Sequence, residues 1–266
     1  MKMDPKKAAA FLREIRQFEL CKVIEQIWKQ QSFSYLDQPR PDFGLLLLTK
    51  GTLQYEMDHE VLALSEGDIV FLPKGSFYKA IIDTSQGVVC DYLINFDTVM
   101  GDLSFDRPIK LLQGASHALC EQFRALAAKV RADGCDTLRA RGLFCLLLDG
   151  ILQQQAEAET GRRRFLEEAK ARLLERENLP IARIAKQCCI SESSLRRAFL
   201  QETGLSPAAF RLAARLREAE YLLESTDLAV GEIADRLNFF DAAYFCKCFR
   251  AHTGVTPRQY ARSKKM

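Results

Sequence analysis

The second half of the chain contains an internal repeat, and this repeat limits the possible folds more than any other feature. Residues 184–210 resemble residues 233–260 at an offset that changes from 49 to 50, so the second copy carries one inserted residue. The equivalent pairs are Ile184-Ala185 and Ile233-Ala234, Leu195 and Phe245, Arg197 and Lys247, Phe199 and Phe249, Thr203–Pro207 and Thr253–Pro257, and Phe210 and Tyr260. Such a repeat predicts one supersecondary unit that the chain builds twice.

Each copy has the sequence pattern of a helix-turn-helix unit. A short helix and a tight turn precede a second helix, which has Ser191 or Asp241 as its N-terminal cap. Apolar residues four apart, such as Leu195 and Phe199, indicate the face of the second helix that packs on the core. Because the second helix of such a unit can enter the major groove of DNA, the repeat predicts a DNA-binding domain with two reading helices.

The region between the two units and the charge of this half fit the same interpretation. From Pro207 to about Glu224 the pattern predicts one helix, roughly 27 Å long at 1.5 Å per residue, which could hold the two readers about one DNA turn apart. Residues 159–266 contain 20 Lys and Arg against 14 Asp and Glu, whereas residues 1–158 contain 18 against 21. The basic half is therefore the predicted polyanion-binding half.

The first half of the chain has the pattern of a small β-barrel or sandwich preceded by one helix. The sequence after Asp4-Pro5 predicts a helix over 5–18, and residues 21–35 favour neither a helix nor a strand. Short β-favouring runs, separated by turns that mostly contain Gly or Pro, then follow. The runs are 43–50, 52–58, 61–64, 68–72, 77–82 and 88–96.

Two helices and a linker are predicted after the strands. The first helix follows Ser116 and has an apolar stripe, and the second, over 137–154, is apolar on most sides, as expected of a helix buried against a partner subunit. The alternative is that packing within the chain covers it. Residues 153–164 contain almost no large apolar side chain and predict an interdomain linker. We therefore expect an α+β protein with domains at 1–154 and 155–266.

The residue inventory disfavours an enzyme, a metal site and a membrane span. Nine cysteines form no CxxC pair and are expected to be reduced core thiols, and of the three histidines only His59 lies near a strand. No phosphate-binding glycine loop or nucleophile constellation is present, so no cofactor is predicted. The longest apolar runs, Leu45–Leu48 and Leu143–Leu148, are too short to cross a bilayer, and the start of the chain lacks the apolar region of a signal peptide. A cytoplasmic location is expected.

The repeat resembles the AraC family of bacterial transcription regulators over about 180–262. The residues that carry the resemblance are Ile184-Ala185, Ser191, Leu195, Phe199, Gly204, Ser206-Pro207, Arg215-Leu216, Ala219, Leu222-Leu223, Ile233-Ala234, Phe239, Asp241, Tyr244-Phe245, Phe249, Gly254, Thr256-Pro257 and Tyr260. The first half resembles the cupin-like barrel of these regulators at Gly51, Glu66-Gly67-Asp68 and Leu72-Pro73. The resemblance implies a cupin-like effector or dimerisation domain, a homodimer, double-stranded DNA as partner and activation through contact with RNA polymerase.

The chain departs from the family pattern at the two turns. Cys189 and Asn238 stand where the family usually has Gly. If both residues adopt a left-handed conformation, Asn tolerates it, whereas Cys costs about 1–2 kcal/mol.

The second helices supply the predicted DNA contacts. The candidates for base reading lie off the Leu/Phe face, at the positions that the resemblance also assigns: Ser193, Arg196, Arg197, Ala242, Ala243, Cys246 and Lys247. The candidates for phosphate contact are Arg211, Arg250 and Arg258. The alternative for Arg197 and Lys247 is an ion pair on the helix surface. Ala242 and Ala243 can contact only a thymine methyl, so the second unit could instead read DNA shape, or the domain could have lost its DNA affinity.

The strands supply the predicted effector pocket. Its candidate residues are Tyr55, Phe71, Tyr78, Tyr92 and Phe96. They predict an aromatic cavity of about 300 Å³ or more in the barrel, which suits a small organic effector better than a metal ion or a phosphorylated metabolite. One alternative is a barrel that these aromatic side chains fill completely. Another is a cupin-type metal-dependent enzyme or metal sensor fused to the DNA-binding domain.

Overall fold

A computed structural model of the chain describes residues 5–28, 32–58, 60–84, 87–99, 106–175 and 177–264. The chain divides into two compact units, an N-terminal unit of residues 1–158 and a C-terminal unit of residues 159–266. Within the described ranges, no helix has the length and apolar character that crossing a membrane requires.

The N-terminal unit contains two antiparallel sheets and helices. Its elements are α1 (Pro5–Glu14), β1 (Phe18–Trp28), β2 (Ser32–Ser34), β3 (Phe43–Lys50), β4 (Thr52–Met57), β5 (Glu60–Leu64), β6 (Ile69–Leu72), β7 (Lys79–Asp83), β8 (Val89–Thr98), β9 (Ile109–Leu112), α2 (His117–Asp133) and the first part of α3 (Leu138–Leu174). The five-stranded sheet has the order β1-β8-β3-β6-β9, and the four-stranded sheet has the order β2-β7-β4-β5. The predicted β-rich first half is thus confirmed.

The five-stranded sheet is apolar on both faces because each face is covered. Side chains alternate along a strand, so Leu45 and Leu47 of β3 join a core with α1, α2 and α3, whereas Leu46 and Leu48 join the core between the two sheets. All four side chains are at most 4% exposed. This double burial explains the continuous apolar run in the sequence.

The structure contains three strands that the sequence did not predict, namely β1, β2 and β9. β1 was missed because the face that lines the cavity mixes apolar and polar residues, with Ile24, Gln26 and Trp28 inside and the exposed Lys22 at the edge. An apolar/polar alternation is the usual signal of a half-buried strand, and β1 does not show it.

The segment 153–164, predicted as the interdomain linker, contains the boundary between the two units, but it is part of the 37-residue helix α3 and not a loop. The segment consists mostly of Gln, Ala, Glu and Arg, which have high helix propensities. Its lack of large apolar residues marks an exposed helix surface and not a loop, since most of its side chains are exposed. The boundary between the two compact units falls within α3.

The C-terminal unit is entirely helical in the residues that are described. After the end of α3 it contains α4 (Ile181–Gln187), α5 (Glu192–Thr203), α6 (Pro207–Ser225), α7 (Val230–Arg236), α8 (Ala242–Thr253) and α9 (Pro257–Lys264). The predicted caps are confirmed: the Ser191 side chain accepts a hydrogen bond from Ser194 N, and Asp241 accepts one from Tyr244 N.

The two helix-turn-helix units have separate cores. The first core joins Leu166, Ala169 and Leu173 of α3 to Ile184, Ala185 and Cys188 and to Leu195, Ala198 and Phe199. The second core joins Leu216, Ala219, Leu222 and Leu223 of α6 to Ile233, Ala234, Leu237 and Phe239 and to Phe245 and Phe249. A longer helix therefore completes each unit.

Both turns contain a non-glycine residue with a left-handed backbone. Cys189 has φ = 56° and Asn238 has φ = 54°. The residue that follows each of these donates its backbone N–H to a carbonyl oxygen five residues earlier, in the last turn of the preceding helix. Ile190 N donates to Ala185 O at 3.0 Å, and Phe239 N donates to Ala234 O at 2.9 Å. This pattern is that of a Schellman motif, in which glycine is the preferred left-handed residue.

We expect Cys189→Gly to raise the unfolding free energy of the C-terminal unit by up to about 1 kcal/mol. Relief of the left-handed strain contributes about 1–2 kcal/mol, and the extra backbone entropy of glycine in the unfolded chain offsets about half of it. Urea unfolding of the full chain, followed by circular dichroism at 222 nm, measures the change. Asn238→Gly is the matched control and should have a smaller effect, because Asn tolerates this conformation; an unchanged or lower stability of the Cys189 variant contradicts the prediction.

Asp91 is a carboxyl group buried between the sheets, with an exposed fraction of 1%. Trp28 Nε1 donates to its Oδ2 at 2.5 Å, and its Oδ1 has no hydrogen-bond partner among the described residues. Burial raises the pKa of Asp91 to about 7, against the opposing effect of the Trp28 hydrogen bond. The folded chain therefore keeps a proton that the unfolded chain releases near pH 4.

We expect Asp91 to make the N-terminal unit less stable as the pH rises from about 4 to about 7, by up to about 4 kcal/mol. Below this range both states are protonated, so the full stability is present there; above it both are ionised and the loss is complete. Asp91→Asn should flatten this part of the pH dependence. The fluorescence of Trp28, the single tryptophan, reports unfolding of this unit. Equal pH slopes for the two proteins between pH 4 and 7 would exclude the assignment.

Candidate functional site

A cavity of about 190 Å³ lies between the two sheets of the N-terminal unit. Its lining includes the aromatic side chains of Trp28, Tyr35, Tyr55 and Tyr78 and the polar side chains of Arg40 and Asp91. The predicted cavity of 300 Å³ or more is wrong in size, because large side chains occupy much of the space between the sheets. A ligand of this cavity is smaller than a typical drug-sized molecule.

Arg40 is the main polar group of this cavity and is only 3% exposed. Its guanidinium donates to Tyr78 OH at 2.8 Å, to Asn95 Oδ1 at 2.5 Å and to Asp42 O at 2.9 Å. In the described ranges no carboxylate forms an ion pair with it. A buried cation with only neutral acceptors is an electrostatic anchor for an acceptor group on a ligand.

Sequence reasoning missed Arg40 because it lies in the Gln38–Pro41 stretch, which we interpreted only as a break between elements. The signal available was a charged residue between two prolines just before a strongly apolar strand. The same environment affects Tyr78: burial raises its pKa to about 12, although the Arg40 charge lowers it. Tyr78 is therefore a neutral hydroxyl group.

Only two of the five predicted pocket residues face the cavity. Tyr55 and Tyr78 line it, whereas Phe71, Tyr92 and Phe96 belong to the core on the other face of the sheet. The ring centroid of Phe71 lies 5.6 Å from that of Phe11, that of Tyr92 lies 6.5 Å from that of Phe123, and that of Phe96 lies 5.1 Å from that of Phe144. Because both faces of this sheet are apolar, the sequence does not show which residues point inward.

The metal alternative gains no support from the described residues, among which no group of three His, Cys, Asp or Glu side chains could hold a metal ion. His59, the one histidine predicted near a strand, lies outside the described residues. The expectation of core thiols is only partly correct, since Cys21, Cys145 and Cys189 are exposed and Cys188 is buried. All nine cysteines are free thiols.

In the first unit, the structure places Ser193, Arg196 and Arg197 on the exposed side of α5. Arg196 forms an ion pair with Glu192, four residues earlier, with Nε and Oε1 3.0 Å apart. Arg197 has no ion pair in the part of the chain that the structure describes. The surface ion pair suggested as the alternative for Arg197 is thus formed by Arg196 instead.

In the second unit, Ala242, Ala243 and Lys247 lie on the exposed side of α8. Cys246 was predicted to share this side but is half-buried and packs against the core of the unit. It follows Phe245 on the helix, close to the border between the core face and the exposed face. The exposed side of α8 is consequently less polar than that of α5.

Two of the three predicted phosphate contacts, Arg250 and Arg258, are exposed. Arg211 is half-buried, and its guanidinium donates to Asn178 Oδ1 at 2.8 Å and to Leu179 O at 2.6 Å. Burial lowers the pKa of Arg211. Two of the Arg211 donors thus stabilise the domain internally, and its phosphate contact stays a prediction.

Arg215 makes a second set of internal contacts that sequence reasoning did not predict. It donates to Asn178 Oδ1 at 2.8 Å and to the backbone oxygen of Asn238 at 3.3 Å, and burial lowers its pKa. Arg211 and Arg215 thus connect α6 to the segment before α4 and to the turn of the second unit. Arg215 was part of the sequence resemblance, but only the structure identifies Asn178 as its partner.

Comparisons with known proteins match this description. Residues 184–263 match the model of a helix-turn-helix domain family. The Msm operon regulatory protein of Streptococcus mutans is 22% identical over 87% of this chain and 88% of its own length. The transcriptional activator RhaR of Cronobacter sakazakii is 42% identical over 26% of this chain, and the match spans only 24% of RhaR.

Among solved structures, an AraC-type regulator from Chromobacterium violaceum is 28% identical, with a TM-score of 0.37, over 40% of this chain and 96% of that chain. The family match covers both repeated units, and the sequence signature accounts for their caps, turns and core residues. The C-terminal unit is an AraC-type helix-turn-helix domain, the type that the sequence resemblance predicted.

Proposed function

We propose that this protein is a sequence-specific transcription activator that responds to a small organic effector and acts as a homodimer. The observation that carries the proposal is the pair of helix-turn-helix units whose second helices leave predicted base-reading side chains exposed, Arg197 above all. The net charge of +6 on residues 159–266 favours association with a polyanion.

The first unit supplies the hydrogen-bonding base contacts in this proposal. Arg197 is exposed and can donate two hydrogen bonds to O6 and N7 of guanine, a contact worth about 1–3 kcal/mol of discrimination. Arg196 can donate to guanine in the same way only if its guanidinium first breaks the ion pair with Glu192. Because exposed ion pairs of this kind contribute less than about 1 kcal/mol, breaking this pair costs little.

We expect Arg197→Ala to relax sequence preference and Arg250→Ala to weaken binding to all sequences about equally. The first change removes a base contact, whereas the second removes a phosphate contact and reduces the slope of log affinity against log salt by about one unit. Selection of sites from random duplex DNA, followed by titrations at several salt concentrations, separates the two effects. Arg196→Ala should resemble Arg197→Ala; uniform losses for all three variants would argue against base reading by α5.

The activator role rests on relatives and not on the geometry of the site. RhaR, whose matching segment is 42% identical, is named a transcriptional activator. Contact with RNA polymerase is the mechanism that the family resemblance implies for such a protein.

The effector part of the proposal is supported by the cavity between the sheets. Arg40 offers a buried positive charge, and Trp28, Tyr35 and Tyr55 offer aromatic surface. A small organic molecule that carries an acceptor group, such as a carboxylate, fits both features.

We expect at least one small organic acid to raise the melting temperature of the full chain, and we expect its neutral analogue to have no such effect. Trp28 fluorescence measures the melting temperature. Ligand at one hundred times its Kd stabilises by about 2.7 kcal/mol. Ala80→Leu would fill part of the cavity and abolish this stabilisation. Ala63→Leu, on the exposed side of β5, is the matched control and should retain it. Stabilisation that persists in the Ala80 variant would place the ligand elsewhere.

Fewer apolar side chains are available for a homodimer contact than the apolar pattern of residues 137–154 predicted. Most apolar residues of the first part of α3, including Phe144, Leu147 and Ile151, pack inside the N-terminal unit. Leu138 and Leu146 stay 87% and 59% exposed and are the apolar side chains available there for a second copy.

A further inference from the structure

The structure identifies which residue is inserted in the second helix-turn-helix unit. Cys189 corresponds to Asn238, and Ile190 corresponds to Phe239, because each pair makes the same backbone hydrogen bonds at an offset of 49. The caps Ser191 and Asp241 correspond at an offset of 50. The inserted residue is therefore Phe240, which has no counterpart in the first unit.

Phe240 is a large apolar side chain that the fold leaves outside the core, with an exposed fraction of 94%. A residue just before an N-terminal cap often packs on the fourth residue of the helix, here Phe245. Phe245 is completely buried and Phe240 is exposed, so this local stabilising role is not used. In the first unit the residue before the cap, Ile190, packs against the core.

Phe240 is followed by Asp241, whose side chain caps α8, and then by two alanines at the start of the helix. Ala242 and Ala243 form the exposed first turn of α8, where the first unit has Glu192 and Ser193. We call Phe240, Ala242 and Ala243 the apolar patch. The patch has no hydrogen-bonding side chain, and the exposed cations Lys247 and Arg250 lie further along the same helix.

Given the proposed DNA-binding function, on which this inference rests, we infer that the apolar patch reads thymine through its C5-methyl group, with Phe240 as the principal contact. The major groove displays one apolar group, the thymine methyl, and Ala and Phe side chains are among those that contact it. The patch lies at the N-terminal end of a helix that enters this groove in helix-turn-helix proteins. The flanking cations favour duplex DNA over an apolar protein surface as the occupant.

The two helix-turn-helix units then recognise DNA bases in different ways. The first unit presents arginine donors, which suit guanine, and the second presents methyl-contacting carbon atoms, which suit thymine. The bound site should accordingly be asymmetric, with a guanine-containing half and a thymine-containing half.

The test replaces single thymines by deoxyuridine, which lacks only the C5-methyl group. Sites are first selected from random duplex DNA with the full-length protein, and each thymine of the preferred site is then replaced in turn. At one or two thymines we expect deoxyuridine to weaken binding about fourfold, the factor for one buried group of methyl size. In Phe240→Ala the effect should disappear at the thymine that Phe240 contacts, whereas in Arg197→Ala the fourfold effect should persist.

Two controls separate methyl reading from other roles of Phe240. Phe240→Leu keeps an apolar side chain and should retain part of the deoxyuridine effect. Tyr221→Ala removes another exposed aromatic ring, 67% exposed on α6, and should change nothing. Because Phe240 lies outside the core, its variants should unfold at the same urea concentration as the parent protein.

Three results would overturn the inference. Deoxyuridine effects that persist at every sensitive thymine in Phe240→Ala, or an equal loss on all duplexes, would assign Phe240 to the sugar-phosphate backbone or to no contact. Normal DNA binding with lost transcription activation would assign it to a protein partner such as the polymerase. Selection of no preferred sequence would overturn the proposed function together with this inference, whereas a preferred site that is insensitive to deoxyuridine would overturn the inference alone.

Discussion

Each helix-turn-helix unit depends on a longer helix for its core. The first helix of each unit has seven residues, too few to be stable by itself in water. The end of α3 supplies Leu166, Ala169 and Leu173 to the first unit, and α6 supplies Leu216, Ala219 and Leu223 to the second. Burial against these helices fixes which side of α5 and of α8 stays exposed, and so decides which side chains can contact DNA.

The hydrogen bonds of Arg211 and Arg215 show how a basic domain uses its charges for two purposes. Both guanidinium groups donate to Asn178, so charged donors that already have partners within the domain connect α6 to the first unit. Arg197, Arg250 and Arg258 stay exposed. The net positive charge of the domain therefore overstates the number of its freely exposed cations, because burial and hydrogen bonding keep some of them inside the domain.

The two buried charged residues at the cavity of the N-terminal unit, Arg40 and Asp91, lie in segments where the sequence did not predict a functional residue. Arg40 lies between two prolines in a segment that was predicted to have no regular structure. Asp91 lies in a segment that was predicted to be a strand because most of its residues favour strands. Both side chains are buried at the cavity between the sheets. A buried charge costs free energy unless other groups compensate it, and Asp91 avoids this cost through a raised pKa. Among the described residues, Arg40 donates only to neutral acceptors, namely Tyr78, Asn95 and the backbone oxygen of Asp42. This difference makes Arg40 the stronger anchor for a ligand.

By itself, the sequence determined the repeat, the caps at Ser191 and Asp241, the left-handed turn positions and most strands, because each follows from residues close together in the chain. Only the tertiary structure decided which face of a strand lines the cavity, since β6 is apolar on both sides, and nothing in the sequence of β8 showed that Tyr92 and Phe96 lie on the face opposite Asp91 and Asn95. The helix over 153–164 follows instead from local helix propensity, although the segment lacks large apolar residues. The exposure of Phe240 was also a tertiary result: an inserted phenylalanine becomes a surface group only when the core beside it is already filled by Phe239, Phe245 and Phe249.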